Sequence, residues 1–292
     1  MKRFFLPILM FCLVSLNTLA DEVKSKVFSK LSEKITEYTL GIIPGEGHTE
    51  FSFDLRENNS PQYSILVVRE LQKLEDGNIF TQFSARNTEA QNQARTGDDN
   101  ERIIFNLGLG ARKLFFNEAL MLGVNNFYDY DYWMGHSRTS LGFEARGSVL
   151  DFNANRYQKI DSSGSTEHVK DGWDYNFEMQ IPYLHTSNVF FTGYEWETNE
   201  GAQDTRGEKF GLETMLTSTL ALKLGVDDQR GVDNENYVHL TFIYPPKEAD
   251  KFISNELWSS TESMKGELLS KVERTNNIVI EFTGSVTVSR TD

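Results

Sequence analysis

The chain has 292 residues, with 29 Lys and Arg against 43 Asp and Glu, and a formal net charge of −14. That acidity argues against a nucleic-acid partner and against a basic membrane-surface anchor. One cysteine, Cys12, excludes a disulfide within the chain, while 21 Phe and 11 Tyr make it rich in aromatics.

Residues 1–20 read as an export signal. Lys2 and Arg3 give a positive start, Phe4 to Leu16 is mostly apolar, and Thr18-Leu19-Ala20 fits a small-residue cleavage site. The apolar run is short for a bilayer span. Cleavage after Ala20 would remove Lys2, Arg3 and Cys12, taking the charge from −14 to −16. Residues 21–44 then predict a short periplasmic helical segment, with Val27, Leu31, Ile35 and Tyr38 near helical spacing. No stretch after residue 20 approaches the roughly 18 apolar residues of a membrane helix.

From residue 45 to 245 the period changes to two. Twelve strand-like runs lie near 49–56, 62–72, 78–87, 101–113, 118–131, 137–147, 149–160, 170–182, 187–196, 207–214, 218–227 and 234–244. Ile103, Phe105, Leu107, Leu109 and Ala111 fall on one face, opposed by Ile104, Asn106, Gly108, Gly110 and Arg112. Leu120, Leu122 and Val124 run into Tyr128, Tyr130 and Tyr132, opposed by Met121, Gly123, Asn125, Phe127, Asp129 and Asp131. An apolar face ending in tyrosines suits a strand that meets lipid. The fold expected is all-β: an antiparallel transmembrane barrel of the bacterial outer membrane. A soluble sandwich is the alternative.

Connection lengths separate the two. Counting the first strand as outward, the outer connections are near 57–61, 88–100, 132–136, 161–169, 197–206 and 228–233. The inner ones are near 73–77, 114–117, 148, 183–186 and 215–217. Longer, more polar outer loops and short inner turns are the barrel pattern, and a sandwich has no reason to sort loops by parity. Aromatics near strand ends, namely Tyr128, Tyr130, Tyr132, Trp133, Trp173, Tyr175, Tyr194 and Trp196, are read as the interfacial girdle.

Lumen-facing Gly108, Gly110, Gly123 and Gly142 admit two readings. They leave room for a threaded segment, or they permit curvature and twist. Lumen charges Arg112, Arg138, Arg146, Glu144, Glu178 and Glu213 either hold a plug to the wall or line a water-filled channel. Residues 246–292 supply the plug candidate. A helix is predicted over 248–273 from Ile253, Leu257, Thr261, Met264, Leu268 and Val272, followed by an extended segment over 276–292. Such a helix spans about 39 Å and the extended segment about 55 Å, enough to cross a hydrocarbon core of about 30 Å.

Catalytic, cofactor and metal residues are not expected. His48, His136, His168, His185 and His239 lack metal-ligand spacing. The pairs Asp98/Asp99 and Asp129/Asp131 lack a complete calcium loop, and Glu144 and Glu178 read as wall residues, not an acid/base pair. No Gly-rich phosphate loop or GxSxG elbow is present.

Several pieces resemble one family in order: NLGLGARKL at 106–114, LGVNNFYDYDY at 122–132, HSRTSLGFEARGS at 136–148, LDFNANRYQKI at 150–160, DGWDYNFEMQIP at 171–182 and VERTNNIVIEF at 272–282. They resemble the translocator barrel of inverse autotransporters, the intimin and invasin group. The resemblance implies a twelve-stranded barrel, a helix returning into the lumen, and an extended linker leading a C-terminal passenger to the cell surface, often for adhesion. It implies contact with outer-membrane lipid and lipopolysaccharide, and handling by periplasmic chaperones and the barrel assembly machinery. The ending YVHLTFIY, with Tyr237, Leu240, Phe242 and Tyr244, resembles the signal that machinery reads. This chain stops ten residues after Phe282, so no immunoglobulin-like passenger domain of about 100 residues is expected within it. The alternative function is a porin-like or structural barrel without passenger.

Overall fold

The computed structural model describes residues 47–57, 61–89, 101–162, 167–198, 204–247, 252–259 and 263–282. The expected signal and the helical segment 21–44 lie outside the described residues.

Twelve strands close into one barrel. They are β1 (Gly47–Arg56), β2 (Gln62–Leu74), β3 (Gly77–Glu89), β4 (Glu101–Phe115), β5 (Leu120–Asp131), β6 (Ser137–Gly147), β7 (Leu150–Asp161), β9 (Gly172–Ile181), β10 (Leu184–Trp196), β11 (Thr205–Thr217), β12 (Leu220–Gln229) and β13 (Glu235–Tyr244). A short strand β8 (Glu167–Val169), between β7 and β9, pairs outside the barrel with β14 (Ile280–Phe282). Each barrel strand runs antiparallel to its neighbours, and β1 closes the ring against β13 from Thr49↔Tyr244 to Arg56↔Tyr237. Closure leaves no sheet edge, which lipid demands because it offers backbone groups no partner.

The connections divide by parity. At one end the turns are 75–76, 116–119, 148–149, 182–183 and 218–219; at the other the segments are 57–61, 90–100, 132–136, 162–171, 197–204 and 230–234. We refer to these as the turn end and the loop end. The tightest backbone lies at the turn end, where Phe116, Asn117 and Glu118 all take left-handed φ (54°, 54° and 67°).

The outer face is apolar. Leu107, Leu109, Val124, Leu141, Phe143, Phe177, Met179, Phe210 and Leu224 are exposed there. Toward the loop end it carries Tyr128, Tyr130, Tyr132 and Trp133, exposed by 45%, 36%, 58% and 63%. Trp173 stacks on Tyr175 with ring centroids 5.6 Å apart.

The other two girdle residues point the opposite way. Tyr194 and Trp196 are only 8% and 4% exposed. The Tyr194 hydroxyl donates to Asp227 at 2.8 Å, and Trp196 packs on Tyr157 with centroids 5.1 Å apart. On β10, Val189 and Phe191 share the outward parity, so Tyr194 and Trp196 must face the lumen. Tyr237 is likewise buried on the inner face, beneath the Arg56 guanidinium at 4.9 Å, whereas Leu240, Phe242 and Tyr244 share the opposite parity of β13.

A helix over 248–273 does not form. Among the described residues, 252–259 has no regular secondary structure, and only Met264–Leu269 is helical, as a short 3-10 turn. Residues 270–279 form no helix, and the chain then joins β8 as β14.

Candidate functional site

The site is the barrel lumen with the chain's own tail inside it. The tail starts at the turn end, where the Met264 N–H donates to the Glu118 carbonyl at 2.8 Å. It finishes at the loop end, where Ile280, Glu281 and Phe282 pair with Val169, His168 and Glu167. In between, apolar side chains find separate seats on the wall. Met264 and Leu268 pack on Leu114 and Met121. Val272 and Leu269 pack on Leu66, Val68, Phe80 and Phe127. Ile278 and Ile280 pack on Ile104 and Val169, and Val279 packs on Tyr157, Tyr194 and Trp196.

Residues 270–279 lie outside regular secondary structure, so the wall must supply their hydrogen bonds. Arg112 donates from Nη1 to the carbonyls of Leu268 (2.9 Å) and Ser270 (2.7 Å), while its other nitrogens hold Glu144 at 2.7 and 3.0 Å. Arg146 donates to the Ser270 hydroxyl at 2.8 Å and to the Lys271 carbonyl. Arg138 binds Asp129 at 2.7 Å and the Thr275 carbonyl. Asn78, Asn155 and Asn106 each donate at 3.0 Å to the carbonyls of Leu268, Glu273 and Asn276. The Val272 N–H donates to Gln82 at 2.8 Å, and the Thr275 N–H to the Tyr157 hydroxyl at 2.8 Å.

One tail side chain is gripped as firmly as the backbone. Arg274 donates to both oxygens of Asp129, at 2.9 and 2.7 Å, and both side chains are fully buried. Its guanidinium lies 4.2 Å from the Phe127 ring centroid. A planar fork on a carboxylate, stacked on an aromatic face, is the contact arginine makes best. Lys271 adds ion pairs to Glu273 at 3.1 Å and to Glu50 of β1 at 3.6 Å.

The expected lumen residues fall into three groups. Arg112, Arg138 and Arg146 bind the tail directly, and Glu144 orients two of them. Glu213 instead pairs with Lys223 across β11 and β12 at 2.9 Å, and Glu178 accepts from Asn188. The glycines behave differently from either reading of them. A Cβ on Gly108 would lie 2.3 Å from the Phe127 ring, and one on Gly110 2.4 Å from Phe80. At Gly123 it would meet Glu144, and at Gly142 Asn125 and Asn155. Each obstacle is the cross-strand partner in the ladder. These glycines make room for neighbouring wall side chains to lie flat, and the tail packs on Phe80 and Phe127 among them and is held by Asn155. Outside the expected set, Asn78, Gln82, Asn106, Asp129, Asn155, Tyr157 and Asp174 also hold the tail. All have inward parity, which alternation gives; that the partner is the tail, its backbone for all but Asp129, which takes the Arg274 side chain, alternation does not give.

Of the acidic pair, Asp129 takes part in this grip and Asp131 binds the wall beside it. Asp129 is engaged by Arg138 and Arg274, and Asp131 accepts from Arg102 at 3.2 Å. His136 bonds Glu167, which also accepts from Arg102 at 2.6 Å.

A closed twelve-strand antiparallel barrel, apolar outside and polar within, defines an outer-membrane barrel, here one with its lumen filled by its own tail. The family model for the inverse autotransporter beta-domain matches residues 14–276. The chain belongs to that family, and its barrel is an outer-membrane translocator barrel. It is 25% identical over 201 residues to intimin of Escherichia coli O157:H7, covering 61% of this chain and 21% of intimin. It is 24% identical over 199 residues to the inverse autotransporter adhesin YeeJ of Escherichia coli K12, covering 62% and 8%. Against the invasin of Yersinia enterocolitica it is 24% identical over 220 residues, covering 70% and 25%. The chain thus spans a quarter or less of these relatives' length. A solved membrane protein, from work on in-meso crystallization, shares the fold with a TM-score of 0.63 and 20% identity, covering 81% of this chain and all of that one.

Proposed function

We propose that the barrel anchors the chain in the outer membrane and carries its own C-terminal segment through the lumen to the cell surface, as part of an adhesion system. The observation that carries this reading is the direction of the tail. It enters beside the Glu118 turn and reaches the loop end as β14. Short turns belong on the periplasmic side of such barrels and longer loops outside, so the tail points outward. In the same reading residues 1–20 direct export, chaperones and the barrel assembly machinery handle the chain, and the aromatic ending at Leu240, Phe242 and Tyr244 is the assembly signal. The outward aromatics meet lipid and lipopolysaccharide.

An epitope placed after Asp292 tests the central claim. Antibody is expected to reach it on intact cells. Labelling only after the outer membrane is permeabilised would overturn the export reading.

A further inference from the structure

The contacts from Leu268 to Asn276 are mostly contacts to backbone. Lys271, Glu273 and Thr275 turn their carbonyls to Arg146, Asn155 and Arg138 on β6 and β7. On the other side, Asn78, Gln82 and Asn106 of β3 and β4 bind Leu268, Val272 and Asn276. Four of these partners are carboxamides. A carboxamide presents a donor and an acceptor much as a peptide group does. It therefore binds an extended backbone as a neighbouring strand would, without reading side chains.

Three further lumen amides stand among them without a contact to the tail. Asn125 and Asn153 have no partner for either side-chain atom, and Asn176 has none for its nitrogen. All three are more than nine-tenths buried. Native structures rarely leave buried amides unmatched, so each such case calls for a cause. Their placement suggests one. Asn125 and Asn155 both flank Gly142, and Asn153 lies opposite Asn176. Asn153 and Asn155 are two residues apart on β7, so they repeat at about 6.6 Å. The tail carbonyls that the wall holds, at 271, 273 and 275, are likewise two residues apart.

The geometry points to a carboxamide track, in which Asn125, Asn153 and Asn176 are stations for an extended polypeptide backbone sliding in two-residue steps. The ligand class is any extended peptide, whatever its side chains. In the docked tail, Asn78, Gln82, Asn106 and Asn155 are engaged, Asn125 and Asn153 are idle, and Asn176 keeps a free amide nitrogen while its oxygen accepts from Thr192 at 2.7 Å. A chain in motion passes a carbonyl from Asn153 to Asn155 and meets a matched partner at each step. This rests on the export reading above.

The test uses the full chain with the epitope after Asp292. Single and triple Asn→Leu variants at 125, 153 and 176 are compared with Asn→Gln variants by pulse-chase, following surface protease accessibility per folded barrel. Each lost amide is expected to slow display about fivefold, the weight of one net hydrogen bond, and glutamine is expected to restore the rate. Unchanged display in folded leucine variants would overturn the track. Leucine variants that yield no folded barrel would assign the amides to wall structure and overturn it equally. If the parent chain itself never displays the epitope, the export reading fails, and the track falls with it.

Discussion

Arg274 shows how a single residue fixes the tail's register. Its fork on Asp129 is fully buried, and Asp129 also takes Arg138 and Asn106. Removing one partner of such a pair leaves the other charge buried, at a cost of about 3–5 kcal/mol. Arg274→Ala is therefore expected to lower the temperature at which the barrel loses its heat-resistant fold on gels. Arg274→Lys should recover only part of the loss, since an ammonium cannot match both carboxylate oxygens while stacking on Phe127. A lysine variant as stable as the parent would deny the fork this role.

At the scale of elements, the strands were legible because period two is a strong signal when one face meets lipid. The eleven-residue β6 shows it in sequence, with Thr139, Leu141, Phe143 and Ala145 alternating against Arg138, Ser140, Glu144 and Arg146. Two features run against the expectation. Tyr194 and Trp196 sit near a strand end as girdle residues do, but their parity is inward, and counting from Val189 and Phe191 would have shown it. The helix expected over 248–273 rested on Met264, Leu268 and Val272 recurring every fourth residue; the structure keeps only a 3-10 turn at Met264–Leu269 and leaves Val272 outside regular secondary structure. That spacing fits one face of a helix, but it does not require the helix to run past Leu269. Only the wall decides, since its apolar seats are separated along the lumen. A tail that fills the pore should also block it. Conductance in planar bilayers is expected to be small for the full chain and large once residues 246–292 are deleted. Large conductance in the full chain would favour a porin-like barrel.

At the scale of the whole molecule, the two faces of the wall obey opposite rules. Leu141 lies near the middle of β6 and is 65% exposed on the outer face. Leu141→Arg places a charge at the bilayer midplane, a cost of about 2–4 kcal/mol, and should reduce the yield of assembled barrel in membrane fractions. Lys223→Arg on the inner face, beside Glu213, should assemble as the parent does. Equal yields from both variants would contradict the assignment of faces.

The tail is covalently joined to the last barrel strand, from Tyr244 through residues 245–263 to Met264. Docking is therefore intramolecular, at an effective concentration that short tethers set in the millimolar range. Even a weak intrinsic affinity then keeps the lumen occupied. A free peptide of the same sequence would have to compete against that local concentration, so the pore is guarded by connectivity as much as by contacts.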